Sequence, residues 1–123
     1  MTSLQPFTSL RVEAERLGTV PYLLTSGADG RPHAIAVSVT WEEGTLSVNA
    51  GHKSLANAAA RPLVSMMWPA PNAASYGLFV DGVCDVRATQ VVITPTRAVL
   101  HRAGEAAPTN TSSCGSDCVP LLG

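Results

Sequence analysis

Residues 48–62 read VNAGHKSLANAAARP, and residues 63–68 continue as the apolar run LVSMMW. The first segment starts as the end of a β-branched run and then becomes rich in alanine, the best helix former. Ser54 is a candidate helix N-cap, and Pro62 forces the chain to leave the helix. Together the two segments predict a short helix inserted between two strands.

Short β-branched runs, separated by Gly, Asp, Asn and Pro, lie on both sides of this helix. Residues 27–30 and 42–44 are compact turn sequences, which favour hairpins, so the first three strands are predicted to form an antiparallel meander. Gly82 predicts either a bulge within one long strand or a turn that divides it into two. The predicted strands span residues 20–26, 33–41, 45–49, 63–68, 76–87 and 91–94.

The strand predicted at residues 33–41 has unusually small side chains on one face. Ala34, Ala36 and Ser38 alternate with branched apolar residues, so they share one side of the strand. A face of this kind suits the close approach of another backbone, a helix or a ligand.

The two ends of the chain differ in character. Near the N-terminus, Thr8 or Ser9 is a candidate N-cap and Gly18 is placed to end one short helix. Residues 1–104 are predicted to form one domain that includes this helix. Residues 105–123 lack apolar periodicity and are predicted to be a flexible extension that folding does not need. The apolar positions of the leading helix are Leu10, Ala14 and Leu17.

Composition excludes several classes of function. Charged residues make up 14% of the 123 residues, against a globular average near ~25%, which favours a large buried or subunit-covered fraction. A net charge of −1 lacks the basic footprint of nucleic-acid binders. No apolar run approaches the ~20 residues of a membrane span, and the odd number of cysteines fits a reducing compartment. We expect a cytoplasmic protein without nucleic-acid or membrane partners.

The clearest candidate site is the start of the predicted helix. Lys53 is the only lysine of the chain and follows Gly51 and His52. A helix N-terminus offers unpaired backbone N–H groups and the positive end of the dipole, so a cation and the Ser54 hydroxyl beside it suit a phosphate. The alternative is an exposed lysine next to an ordinary capping serine.

The aromatic and histidine side chains have plainer interpretations. Trp41 and Trp68 each end a predicted strand, where an indole either packs in the core or an interface or covers a planar ligand; Trp68 is kept as a candidate cofactor contact. His33 and His101 have no partner at metal-ligand spacing and are interpreted as surface or capping residues.

The remaining reactive side chains support no particular chemistry. Glu42 and Glu43 fall in a predicted turn, where carboxylates are usually solvated. Cys114 and Cys118 are either a redox pair or half of a metal site, and two cysteines are too few for a closed zinc site. No nucleophile motif is present, and no metal site or catalytic residue is predicted.

Residues 48–68 resemble the pyridoxamine 5′-phosphate oxidase-like FMN-binding split barrels. That family shows a strand ending in Thr-Asn, a Gly-Ser-Arg-Lys loop, a helix ending in Asn-Pro and then an apolar strand. Asn49 stands in the family's asparagine position, and the segment Asp-Gly-Arg-Pro-His at residues 29–33 looks like the family's first hairpin. The resemblance covers roughly residues 18–101.

The same match assigns places to the residues of the loop. Gly51 takes the glycine place, and His52, Lys53 and Ser54 take the places of Ser, Arg and Lys. In the family these side chains hold the cofactor phosphate. This chain therefore departs from the pattern at Ser54, where a basic residue is replaced by a hydroxyl.

The resemblance implies a mainly β fold, a six-stranded and mostly antiparallel split β-barrel with short helices at its openings. It also implies a homodimer with the cofactor across the two-fold interface.

The implied function is a flavin- or deazaflavin-dependent oxidoreductase that uses FMN, or alternatively a deazaflavin coenzyme, on a small molecule. The alternatives are a non-catalytic flavin, haem or tetrapyrrole carrier, or a structural or regulatory dimer without a ligand. Substrate choice is expected to depend on the loop at residues 69–75 and on the C-terminal tail.

Overall fold

The structure is a computed structural model that describes residues 4–103 and 117–123. It is mainly β, with one curled antiparallel sheet that forms an open half-barrel and two short helices. In chain order the elements are α1 Leu4–Leu17, β1 Tyr22–Ser26, β2 Pro32–Ala36, β3 Val39–Glu42, β4 Thr45–Asn49, α2 His52–Ala60, β5 Leu63–Trp68, β6 Gly77–Arg87, β7 Gln90–Arg102 and β8 Asp117–Leu122.

The sheet has more strands than the six predicted. Its strand order is β2-β1-β5-β6-β7-β4-β3, and β8 pairs with β7 in addition. The predicted strand at residues 33–41 is divided at Val37 and Ser38, because β2 pairs with β1 whereas β3 pairs with β4. The division places β2 and β3 at opposite ends of the sheet. The predicted meander is therefore correct in its two hairpin pairings and wrong in treating the middle strand as continuous.

Gly82 marks a bulge within one long strand, as one of the two sequence alternatives predicts. Asp81 lies opposite Arg97, while Gly82 lies opposite Pro95, so the register shifts by one residue between them. A Cβ atom at Gly82 would come within 2.6 Å of Ile93 Cγ2 and 2.7 Å of the Thr94 carbonyl oxygen. Only glycine fits this close approach of two strands, and the bulge increases the curl of the sheet.

The two helices begin earlier than the sequence predicts. Thr8 and Ser9 lie inside α1, so neither is its N-cap, whereas Gly18 ends the helix with a φ of +64° as predicted. In α2 the Leu55 N–H donates to the carbonyl oxygen of Gly51 (3.0 Å), which makes Gly51 the N-cap. Ser54 is therefore not a cap but a buried residue of the first turn.

The core lies inside the curl of the sheet and is closed by the two helices. Strands β1 and β5 contribute alternate side chains to it, as the period of two requires, whereas β4 buries three consecutive residues. No helix within residues 4–103 and 117–123 combines the length and the apolar character of a membrane-crossing segment. The largest fully buried apolar side chains are Leu10, Leu23, Leu46, Met66, Leu78, Ile93, Val48, Val80 and Val91.

The C-terminal residues differ in part from the predicted flexible extension. Residues 104–116, including Cys114, lie outside the described residues, but β8 pairs antiparallel with the second half of β7. The first half of β7 pairs with β4, so β8 continues the same edge of that strand. Leu121 and Leu122 pack against the core. The sequence of β8 has no clear strand pattern, because its pairing with β7, and not its own residue types, stabilises it as a strand.

Candidate functional site

The start of α2 is held by contacts to the turn between β6 and β7. The Ala50 N–H donates to the carbonyl oxygen of Thr89 (3.0 Å), and the Thr89 hydroxyl donates to Asn49 Oδ1 (3.4 Å). These contacts fix the end of β4 and the direction in which the chain enters the helix. Gly51 then has extended backbone angles (φ −77°, ψ 175°) and provides no side-chain cap. The first N–H groups of α2 therefore have no side-chain acceptor at the N-cap.

The charge at this helix start is positive. The side chains of His52 and Lys53 are exposed, and no carboxylate pairs with Lys53 in the part of the chain that the structure describes. A Cβ atom at Gly51 would meet nothing within 4 Å, so the space in front of the helix is open. Backbone N–H donors, a cation and open space fit a phosphate group.

A cavity of about 400 Å³ adjoins this helix start. We name it the Asn49 cavity; its walls are Val20, Ala36, Val37, Ser38 and Asn49. Ala36 and Ser38 belong to the small-residue face that the sequence predicts as suited to a ligand. Asn49 lines the cavity and ends the strand that leads into α2, so the cavity lies beside the chain that enters the helix.

Five of the six predicted binding residues lie within residues 49–54, and four of these five are exposed. The exposed residues are Asn49, Gly51, His52 and Lys53. The Ser54 side chain is 1% exposed, so only its backbone N–H belongs with the helix start. Sequence reasoning missed Val20 and Thr89, which are 29 or more residues from the helix in the chain and carry no motif.

Trp68 lies in a different place from the other five predicted residues. It is 3% exposed, and its ring stacks on that of Trp41 with centroids 5.9 Å apart and planes 23° apart. Core packing, one of the two interpretations of these tryptophans, is therefore confirmed. Trp68 also lines a second cavity, of about 210 Å³, which we name the Phe79 cavity after another of its walls.

Below the helix start, α2 is attached to the sheet by a polar network. Asn57 Nδ2 donates to the Thr25 hydroxyl (3.2 Å), and both residues are buried. Arg61 donates from Nε to the carbonyl oxygen of Ser26 (2.6 Å) and from Nη2 to Asn57 Oδ1 (3.3 Å). This network holds the helix against β1 and so keeps its N-terminus in position.

The cysteines and histidines do not assemble a metal site among the residues described. No group of three or more His, Cys, Asp or Glu side chains lies together in that part of the chain. Cys118 Sγ and His101 Nδ1 are 3.5 Å apart across β7 and β8. Burial, and then the charge of Asp85, raise the pKa of the Cys84 thiol, which donates to the carbonyl oxygen of Ala58 (3.7 Å). Cys84 is therefore a poor nucleophile.

Two mycobacterial proteins are related to the chain by sequence, whereas no protein-family model matches it. They are uncharacterised proteins of Mycobacterium bovis and Mycobacterium tuberculosis. Each is 30% identical over 116 residues, in an alignment that covers 80% of this chain and 82% of the relative. Identity and coverage of this size indicate common descent.

Several solved structures share the fold. A protein assigned as a pyridoxamine 5′-phosphate oxidase from Listeria innocua superposes with a TM-score of 0.63 and 16% identity, over 76% of this chain and 95% of that one. An F420 reductase gives 0.55 and 19% identity, over 65% and 88%. A haem-binding protein from Mycobacterium smegmatis gives 0.59 and 16% identity, over 89% and 57%.

These structural likenesses agree with the open, curled sheet described above. The chain therefore belongs to one family with the two mycobacterial proteins, and it has the split-barrel fold of the pyridoxamine 5′-phosphate oxidase-like structures.

Proposed function

We propose that this protein is an oxidoreductase that binds a flavin-type cofactor, FMN or a deazaflavin coenzyme, and acts on a small molecule. The observation that carries the proposal is the uncapped start of α2, with exposed Lys53 beside it and the Asn49 cavity adjoining it. The structural neighbours named for F420 reductase and pyridoxamine 5′-phosphate oxidase support a cofactor of this class.

The donor set at the helix start fits a phosphate-bearing cofactor. The backbone N–H groups of the first turn, the Lys53 ammonium and the His52 imidazole would hold the phosphate. Asn49 and the small side chains Ala36 and Ser38 would line the space for the remainder of the molecule. When bound, a flavin or deazaflavin supplies hydride transfer, so the chain itself needs to bind, orient and shield rather than to provide a nucleophile.

A second copy of the chain is part of this proposal. The outward face of the sheet carries exposed apolar side chains, among them Leu63 (71% exposed), Val83 (44%) and Tyr22 (36%). Leu63 and Val83 are direct partners on β5 and β6, so they form one apolar patch. A homodimer that buries this face would also cover the open Asn49 cavity and exclude water from it.

Titration of the purified protein tests the cofactor. FMN and a deazaflavin coenzyme are added separately, and binding is followed by the absorbance and fluorescence of each. We expect one of the two cofactors to bind, and we expect its phosphate to contribute to affinity. The form without the phosphate, riboflavin for FMN or the dephosphorylated analogue for the deazaflavin, should therefore bind at least about tenfold more weakly. A protein that binds neither cofactor contradicts the proposal.

Reduction of the bound cofactor separates an enzyme from a carrier. We expect the reduced cofactor to be reoxidised faster by some small-molecule acceptors in the protein than free in solution. A bound cofactor whose reoxidation is slower than in solution for every acceptor would favour the carrier. The haem-binding neighbour supports that alternative only through its fold, at 16% identity.

A further inference from the structure

One row of side chains crosses the outward face of the sheet and connects the two cavities. Ala36 lies opposite Tyr22, Tyr22 opposite Met67, and Met67 opposite Phe79. Ala36 lines the Asn49 cavity, while Met67 and Phe79 line the Phe79 cavity. With strands about 4.8 Å apart, Met67 is roughly 10 Å and Phe79 roughly 14 Å from Ala36. Both cavities therefore open on one face, at the same end of the strands.

The Phe79 cavity is shaped by the loop between β5 and β6. Asn72 Oδ1 accepts from the Ala74 N–H (3.0 Å) and from the Ser75 hydroxyl (2.9 Å), which folds the loop on itself. The Thr19 hydroxyl donates to the carbonyl oxygen of Pro69 (3.0 Å) and ties the loop to the segment that precedes β1. A Cβ atom at Gly77 would lie 3.0 Å from the Trp68 carbonyl oxygen, so a side chain at this position would push the ends of the loop apart by a few tenths of an ångström.

The chemistry of the walls indicates what the cavity accepts. Most of its described lining is apolar, including Met67, Trp68, Pro69 and Phe79, and none of the described lining residues is Asp, Glu, Lys or Arg. The Phe79 ring is 37% exposed and is met edge-on by the His101 ring, with centroids 5.4 Å apart and planes 69° apart. Part of this aromatic ring is therefore available as an apolar wall of the cavity.

We propose that the Phe79 cavity binds the molecule on which the enzyme acts, and that this molecule is a small, planar, mainly apolar compound of one or two fused rings. This inference rests on the proposed function, since it assigns the cofactor to the Asn49 cavity and the substrate of the enzyme to the Phe79 cavity. The cavity volume is about 210 Å³, so the part of the molecule that enters it is limited to one or two fused rings.

A pair of adjacent loop substitutions tests the site. Ala73 and Ala74 are both exposed, but only Ala73 lines the cavity. The probe is 2-naphthol, a neutral planar molecule with two fused rings, and its affinity is measured by calorimetry. We expect Ala73→Trp to fill the cavity and weaken 2-naphthol binding at least about tenfold, while Ala74→Trp changes it less than about twofold. Phe79→Ala removes one wall and is expected to weaken binding as well.

The same variants distinguish the two cavities. We expect Ala73→Trp to retain wild-type cofactor affinity and melting temperature, and Lys53→Ala to retain wild-type affinity for 2-naphthol. Four results would overturn the inference: no binding of 2-naphthol to the wild type, equal weakening by the two tryptophan variants, no weakening by Ala73→Trp in a folded protein, or loss of 2-naphthol binding in Lys53→Ala.

If Ala73→Trp does not fold, Phe79→Ala decides in its place, and unchanged 2-naphthol affinity in that variant overturns the inference. Failure of the proposed function has a separate signature, because the protein would then bind neither FMN nor deazaflavin whatever the result with 2-naphthol.

Discussion

The indole rings of Trp41 and Trp68 stack across the interior of the half-barrel, 5.9 Å between centroids, although their strands are not neighbours. Trp41 lies on β3, an end strand, and β3 is separated from β5 by β4, β7 and β6 in the sheet. The stack therefore joins two distant parts of the curled sheet. The tryptophan stack connects β3, the end strand that precedes β4 and α2 in the chain, with β5, which lines the Phe79 cavity.

The tryptophan pair is expected to contribute strongly to stability. Trp68→Ala should lower the free energy of unfolding by about 3–5 kcal/mol, because it removes a large buried ring and leaves a cavity. Trp68→Phe, which keeps an aromatic ring, should cost less. Urea denaturation of both single alanine variants and the double variant measures the coupling, expected at about 0.5–1.5 kcal/mol. Strictly additive losses would show that the rings do not stabilise each other.

Gly82 is expected to tolerate no side chain. Gly82→Ala places a methyl group against Ile93 Cγ2 and the Thr94 carbonyl oxygen, at 2.6 and 2.7 Å, so the strands must separate. We expect a loss of about 1–3 kcal/mol in urea denaturation. Val83→Ala, at the exposed neighbouring position, is the control and should cost less. A Gly82→Ala variant as stable as the wild type would show that the bulge is not a tight contact.

Lys53 is expected to act on the cofactor and not on folding. Lys53→Ala removes the cation at the start of α2 and should weaken binding of the phosphate-bearing cofactor by about ten- to hundredfold. The melting temperature without cofactor should barely change, because an exposed lysine stabilises little by itself. Arg31→Ala removes a positive charge of the first hairpin and serves as the control. Unchanged cofactor affinity in Lys53→Ala would remove this residue from the site.

His52 is expected to have a smaller effect than Lys53. His52→Ala removes one donor beside the start of α2 but leaves the backbone N–H groups and Lys53, so cofactor affinity should fall less than in Lys53→Ala. Cofactor titration of the two variants side by side measures this difference. Wild-type cofactor affinity in His52→Ala would mean that the backbone N–H groups and Lys53 hold the phosphate without His52.

Cys84 is expected to react slowly with alkylating reagents. Its pKa is raised by burial and by Asp85, so at a given pH less of the reactive thiolate is present than in an ordinary cysteine. A variant carrying Cys114→Ser and Cys118→Ser isolates this thiol. Iodoacetamide should modify it more slowly in the folded than in the urea-unfolded protein, and equal rates would contradict the raised pKa.

Because the pKa of Cys84 is higher in the folded than in the unfolded protein, the contribution of this thiol to stability is expected to decline as the pH rises above the ordinary thiol pKa of 9.0.

Strand β8 is expected to support the body of the protein. Deleting residues 117–123 exposes part of the β7 edge and removes Leu121 and Leu122 from the core, so the melting temperature should fall. Val119→Ala, at a position 39% exposed, is the control and should have little effect. A truncated protein with the same melting temperature as the full chain would support the sequence-based expectation that folding does not need residues 105–123.

Local patterns were sufficient to predict most elements of this fold. The spacing of Leu10, Ala14 and Leu17, the alternation in the strands and the turn residues at Gly30 and Gly44 act over a few neighbouring residues, so they are legible in the sequence. The segment from Gly51 to Ser54 was predicted to be a phosphate site for the same reason, since its residues are consecutive, whereas Asn49 was assigned to the site by the family resemblance.

Tertiary structure decided the features that join distant parts of the chain. The division between β2 and β3 depends on their different partners, β1 and β4, and the support of Asn49 depends on Thr89, 40 residues away. Burial of Ser54 and the stacking of Trp68 on Trp41 follow from how the sheet curls, which no local pattern specifies. The relation of the two cavities likewise arises only when four strands align Ala36 with Phe79, because strand register is set by pairing across the whole sheet.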